Sequence, residues 1–189
     1  MPESELVPTK DNFLARDRIA EMSAVLSGDV TTTPLLQYVY TKPLPDEADE
    51  DATLEYAAEV SGFLAGNADY KVGDCIGTVI NARHFFMHRA TVRETDDEGN
   101  WTGDYKETER VVIVEEDGTS YECQSDGVVA SLMAIFQLPG IGLPTKWKKP
   151  LRMAIRQVTV RDKWRTFKLQ VLGPNQAAPK PKPKKKEAD

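Results

Sequence analysis

From Tyr70 onward the chain is written in a period of two, and this limits what it can fold into more than any other feature. The stretch PLRMAIRQVTV, the turn RDKW and the stretch RTFKLQVLG form two arms that each alternate apolar and polar residues. Alternation puts the apolar side chains of a strand on one face, so these arms read as a closing β-hairpin. Upstream, KVGDCIGTVINARHFFMHRATVRE reads as one long or bent strand with Val72, Ile76, Val79 and Ile80 toward the core. Asp96 to Asn100 (DDEGN) is a turn, and Trp101 to Val114 is its partner strand. Glu115 to Gly118 (EEDG) is a second turn, followed by the short strand TSYECQ. One convincing helix, SDGVVASLMAIFQLPG, opens on Ser125 as a cap and stops at Leu-Pro-Gly. Strand, hairpin, short strand, helix, hairpin is the order of a small five-stranded antiparallel barrel of the oligonucleotide-binding (OB) kind.

The N-terminal part has a different pattern. Asn12 to Leu26 carries Phe13, Leu14, Ile19, Met22, Val25 and Leu26 at helical spacing, with Gly28 as the stop. TTTPLLQYVYTKP reads as extended, and Pro43 to Asp51 as an acidic loop of solvated charges. Thr53 to Leu64 reads as a second helix, through Leu54, Ala57, Ala58, Val60 and Leu64, ended by Gly66 and Asn67. After Gly173 the stretch NQAAPKPKPKKKEAD holds nothing more apolar than alanine and reads as a disordered tail. The expected class is therefore mainly β with helical additions (α+β). Residues 1–65 would form a helical and extended elaboration, 66–173 the OB-like barrel, and 174–189 a Lys/Pro-rich basic tail.

Charge is unevenly placed. The overall net charge is −6, yet from Lys146 to Asp189 there are 14 Lys and Arg against 3 Asp and Glu, a net of +11. The first 145 residues hold 10 against 27, a net of −17. Such asymmetry points to an anionic partner for one face, or to two ends that neutralise each other. No apolar run approaches the roughly 20 residues that span a bilayer, so no membrane partner is expected. MPESELVPTK lacks the basic start and apolar stretch of a secretory leader. Two cysteines do not make a disulfide framework. The expected location is the cytoplasm.

Nothing in the sequence supports catalysis. There is no Gly-rich phosphate loop, paired-cysteine zinc pattern, nucleophile elbow or His-Glu-x-x-His helix. His84 and His88 fall on one strand face and could join Cys75 and Cys123 at a metal, but single strand cysteines are more often small buried hydrophobes. The expectation is a protein that is no enzyme, with no cofactor and no metal.

Binding is better supported. Between Lys146 and Lys168, Lys146, Lys148, Lys149, Arg152, Arg156, Arg161, Lys163, Arg165 and Lys168 supply cations, while Trp147 and Trp164 supply flat faces. Single-stranded nucleic acid uses both, since cations track phosphates and aromatic rings stack bases at about 1–3 kcal/mol each. A second set is Arg83, Phe85, Phe86 and Arg89, where alternation lets only one phenylalanine be a platform. Trp101, after a Gly-Asn turn, completes the candidates. Phe136 and Phe167 sit in apolar periodicity and read as core.

The Asp117–Thr119 turn, the Ser125–Gly127 helix start and the closing hairpin with Phe167 carry a resemblance. Over roughly Tyr70 to Gly173 the chain resembles phage-encoded single-stranded DNA-binding proteins. The resemblance implies an OB-type barrel that coats single-stranded DNA without sequence preference in replication or recombination, with replication proteins as partners. Two other readings stay open: RNA binding through the same residues, and a structural or adaptor barrel that forms homo-oligomers through its acidic and basic faces.

Overall fold

The computed structural model describes residues 31–33, 38–96, 98–160 and 164–177. Eight strands form one mixed sheet: β1 (Thr31–Thr33), β2 (Tyr38–Tyr40), β3 (Tyr70–Lys71), β4 (Val79–Thr95), β5 (Trp101–Glu115), β6 (Ser120–Cys123), β7 (Leu151–Val160) and β8 (Trp164–Val171). Helix α1 spans Glu50–Ala65 and helix α2 spans Asp126–Phe136. Strand order runs β1-β2-β4-β5-β6-β3, and β7 pairs with β4 and β8. The expected order of three strands, a helix and a closing hairpin is present as β4, β5, β6, α2, β7 and β8.

The five-strand count is corrected. β1 and β2 join the edge of β4, β3 joins β6 in parallel, and the sheet curls into a half-barrel. Among the described residues β3 and β8 do not pair with each other, so the wall stays open between them. The N-terminal helix expected at 12–26 and the tail from 178 lie outside the described residues.

β4 organises the molecule. Ala82 pairs with Glu115 of β5 on one edge and with Leu151 of β7 on the other. A register shift between Ala82 and His84 inserts one residue, which changes the phase of the strand. Ile80 and Ala82 face the main core before the shift, and Phe85 and Met87 face it afterwards. The main core gathers these with Val111 and Ile113 of β5, Val128, Leu132 and Phe136 of α2, and Met153, Ile155 and Leu169 of the closing hairpin.

A second core lies on the other side of the sheet. α1 starts at Asp49, whose Oδ1 accepts from the Ala52 N–H at 3.0 Å, and Glu50 and Asp51 in its first turn oppose the helix dipole. The helix ends at Gly66, left-handed at φ 84°. Its buried residues are Tyr56, Val60 and Phe63, spaced one turn apart, while Leu54 is exposed. They pack on Tyr38, Tyr40, Phe86, Val112 and Val114. The helix is pinned by polar contacts too: Tyr40 Oη donates to Glu59 Oε1 at 2.8 Å and Lys42 Nζ to Glu59 Oε2 at 2.6 Å. Between His84 and His88, β4 is therefore covered on both faces.

Candidate nucleic-acid interface

The connector from α2 to β7 shows how the cations are displayed. Pro144–Lys146 makes one 3₁₀ turn and Trp147 follows it. The Trp147 ring is buried, edge-on to Phe85 at 5.8 Å and 6.2 Å from Phe136. Its Nε1–H donates to the carbonyls of Ile141 at 3.0 Å and Gly142 at 3.2 Å, and its own carbonyl accepts from Arg83 Nη1. Trp147 is thus a peg that fixes the connector to the core. Lys146, Lys148 and Lys149 around it stay exposed.

The closing hairpin carries cations on both faces. Arg156 stands directly opposite Lys168, on the face that also bears Arg152. Arg152 is engaged, because its guanidinium donates to the carbonyls of Gly173, Pro174 and Gln176. Arg156 donates to Gln170 Oε1 at 3.0 Å, and no carboxylate pairs with Arg156 or Lys168 among the described residues. Two like charges directly across a ladder repel each other. An anion bound between them would remove that cost.

On the opposite face Arg165 and Phe167 line a cavity of about 520 Å³ in the opening between β3 and β8. Its other walls are Lys71 to Asp74 and Glu122 to Ser125. Phe167 is half-buried, so the expectation of a core residue holds only for part of its ring. Ser125 does not cap α2 with its side chain; its Oγ lies 3.0 Å from Thr166 Oγ1 and ties the helix start to β8.

The remaining candidates divide plainly. Phe85 is 4% exposed and Phe86 0%, each in a different core, so neither ring offers a face to a base. The reason is the second cover: alternation predicts one buried and one open phenylalanine, but α1 closes the open side. With Trp147 also buried, three of the expected platforms are packing residues. Arg89 is half-buried opposite Glu109. Trp101 is 52% exposed at the far end of the β4–β5 hairpin, with the Arg93 guanidinium 5.2 Å from its ring centre. Arg161 and Lys163 lie outside the described residues, and Trp164 opens β8 opposite Val160.

Reading the sequence missed three features: the facing pair Arg156–Lys168, the wall of the cavity formed by Lys71, and the cation on Trp101. The first was not within reach of the turn alone: counting outward from the four residues RDKW sets Arg156 against Leu169, whereas Val160 pairs with Trp164 and so Arg156 with Lys168.

His84 and His88 lie on the α1 side of the sheet while Cys75 and Cys123 belong to the main core, which separates the four residues weighed as metal ligands. Burial, then the neighbouring Arg83 and Lys42, push His84 down to about 4. Burial also lowers His88 and raises the thiols of Cys75 and Cys123. A neutral buried imidazole and a protonated buried thiol are packing groups here.

Against this geometry, residues 67–172 match the family profile described as phage single-stranded DNA-binding protein, of the Phi29 type. The chain belongs to this family. Proteins of the family bind single-stranded DNA without being enzymes, and single-stranded DNA is the partner that membership gives this chain. The matched span begins just before β3 and ends just after β8, so it takes in β3 to β8 and α2 and leaves out β1, β2 and α1. No curated protein and no solved structure matches the chain. No helix among the described residues is long and apolar enough to cross a membrane.

Proposed function

We propose that this family member coats single-stranded DNA without sequence preference during phage DNA replication or recombination. The observation that carries the reading is the family match from β3 to β8. Phosphates follow a path of exposed cations, from Lys146, Lys148 and Lys149 on the connector to Arg156 and Lys168 on the closing hairpin. Arg165, beside the cavity, extends the path to the second face. Bases stack on Phe167 at the cavity and on Trp164, which opens the same strand. Backbone charge and ring faces are common to every sequence, which suits binding without sequence preference.

The test is a titration with oligo-dT and with duplex DNA at several salt concentrations, read by retention or fluorescence. The reading predicts tight binding to the single strand, a weak response to duplex and a steep fall of affinity with salt as counterions are released. Equal affinity for both nucleic acids, or no binding of oligo-dT at low salt, overturns it.

A further inference from the structure

β3 is only two residues long, yet it presents an aromatic ring on a rigid base. Tyr70 is 52% exposed and stacks on Tyr121, its partner across the ladder, with ring centres 5.5 Å and planes 25° apart. Tyr121 belongs to the main core, and its Oη donates to Glu115 Oε2 at 2.9 Å. The other oxygen of Glu115 accepts the Asn81 N–H. The residue before Tyr70 is pinned as firmly. The Asp69 N–H donates to Ser120 Oγ at 3.1 Å, while Asp69 Oδ2 accepts from the Ser120 N–H at 2.8 Å and the Ser120 hydroxyl at 2.7 Å. Tyr70 therefore rests on a fixed ring while half of its surface meets water.

Its surroundings suit an unpaired base. A ring already held in place needs no further ordering when a flat ligand arrives. The two carboxylates beside the pair, Asp69 and Glu115, are engaged in hydrogen bonds. The next residue, Lys71, is exposed and lines the cavity at the opening. β3 ends the strand order, so no strand lies beyond it among the described residues. The second ring of the opening is close. A methyl on Gly73, in the 3₁₀ turn Val72–Cys75 that follows β3, would lie 3.4 Å from Phe167 Cζ. The three residues from Tyr70 to Gly73 span at most about 11 Å. Tyr121 and Phe167 both pack on the main core, so Tyr70 and Phe167 border the same side of the opening.

We infer that Tyr70 stacks an unpaired base of single-stranded DNA close to the base on Phe167, with Lys71 and Arg165 holding phosphates on the two banks of the opening. This rests on the single-stranded DNA reading above and adds a residue and a route: the strand crosses the half-barrel where its wall is open. Duplex DNA offers no such base, because its bases are paired and stacked on one another and must be unstacked before a ring can take them.

Oligo-dT titrations of the full-length protein and three variants test this. Tyr70→Ala should weaken binding roughly 5- to 150-fold, the alanine cost of one stacked base. Its slope against salt should stay unchanged, since no cation is lost. Tyr70→Phe keeps a ring and should restore most of the affinity. Lys71→Ala should weaken binding and lower the salt slope by roughly 1. An oligomer of abasic sites with the same number of phosphates, titrated at low salt, separates stacking from support of the fold: wild type and Tyr70→Ala should bind it equally. Wild-type affinity for oligo-dT in Tyr70→Ala overturns the proposal and leaves the family function intact. So does an equal fold-loss on the abasic oligomer, which would make Tyr70 a structural support of β3. A wild-type protein that fails to bind oligo-dT at low salt overturns both readings.

Discussion

Gly127 and Phe167 approach so closely that a methyl group on Gly127 would stand 2.3 Å from the Phe167 carbonyl oxygen. The same methyl would lie 2.4 Å from Thr166 Oγ1. The first turn of α2 therefore rests directly on the backbone of β8, and this contact shapes one wall of the cavity that Phe167 and Ser125 share.

Gly127→Ala should accordingly move the helix off the strand. Backbone cannot yield as a flexible side chain does, so a loss of about 1–3 kcal/mol is expected from overpacking. Thermal or urea unfolding measures it. Oligo-dT affinity should fall as well, since both cavity walls shift, whereas Gly62→Ala inside α1, where a methyl meets nothing, should leave affinity unchanged and add about 0.4–1 kcal/mol of stability.

Replacing Arg156 or Lys168 by Glu should separate stability from binding. Either change turns a repelling cross-strand pair into an attracting one, worth about 0.2–1 kcal/mol to the fold. The same change removes a phosphate contact, so affinity for oligo-dT falls and the slope of log affinity against log salt drops by roughly 1. Unfolding curves and salt titrations on the same two variants check both signs.

Trp147→Ala should act as a core mutation. Removing a buried Trp costs about 3–5 kcal/mol, and two carbonyls lose their indole donor. If the variant folds, its affinity per folded molecule should stay within a factor of a few, because the lysines it displays remain. A selective loss of binding with unchanged stability would show that the ring meets DNA after all.

The fold should also weaken in mild acid. His84 is held neutral in the folded protein at a value near 4, below the 6.5 of a free imidazole. A folded value below the unfolded one means that the unfolded chain binds the extra proton, so stability is complete above about pH 6.5 and declines as pH falls toward 4. Unfolding midpoints at pH 7.5 and pH 5 should differ in the wild type and differ less in His84→Gln.

Much of the half-barrel was legible because its signals are local. Alternation in the closing hairpin, the turns at Asp96–Asn100 and Glu115–Gly118 and the helix after Ser125 each depend on residues within a few positions of one another. The assignments of Phe85, Phe86 and Trp147 as platforms failed for the opposite reason. Whether Phe86 faces water depends on α1, which packs against it from more than twenty residues away, and whether Trp147 is a platform or a peg depends on Phe85 and Phe136.

The sequence by itself determined the β grammar from Tyr70 to Gly173, the concentration of cations after Lys146 and the family to which that pattern belongs. These follow from periodicity, composition and order, which any fold of the chain must carry. Tertiary structure alone decided which aromatic rings are covered, that β3 and β8 leave an opening walled by Phe167 and Arg165, and that Arg93 lies over the exposed ring of Trp101. A strand states only which residues share a face. What lies over that face is supplied by distant parts of the chain.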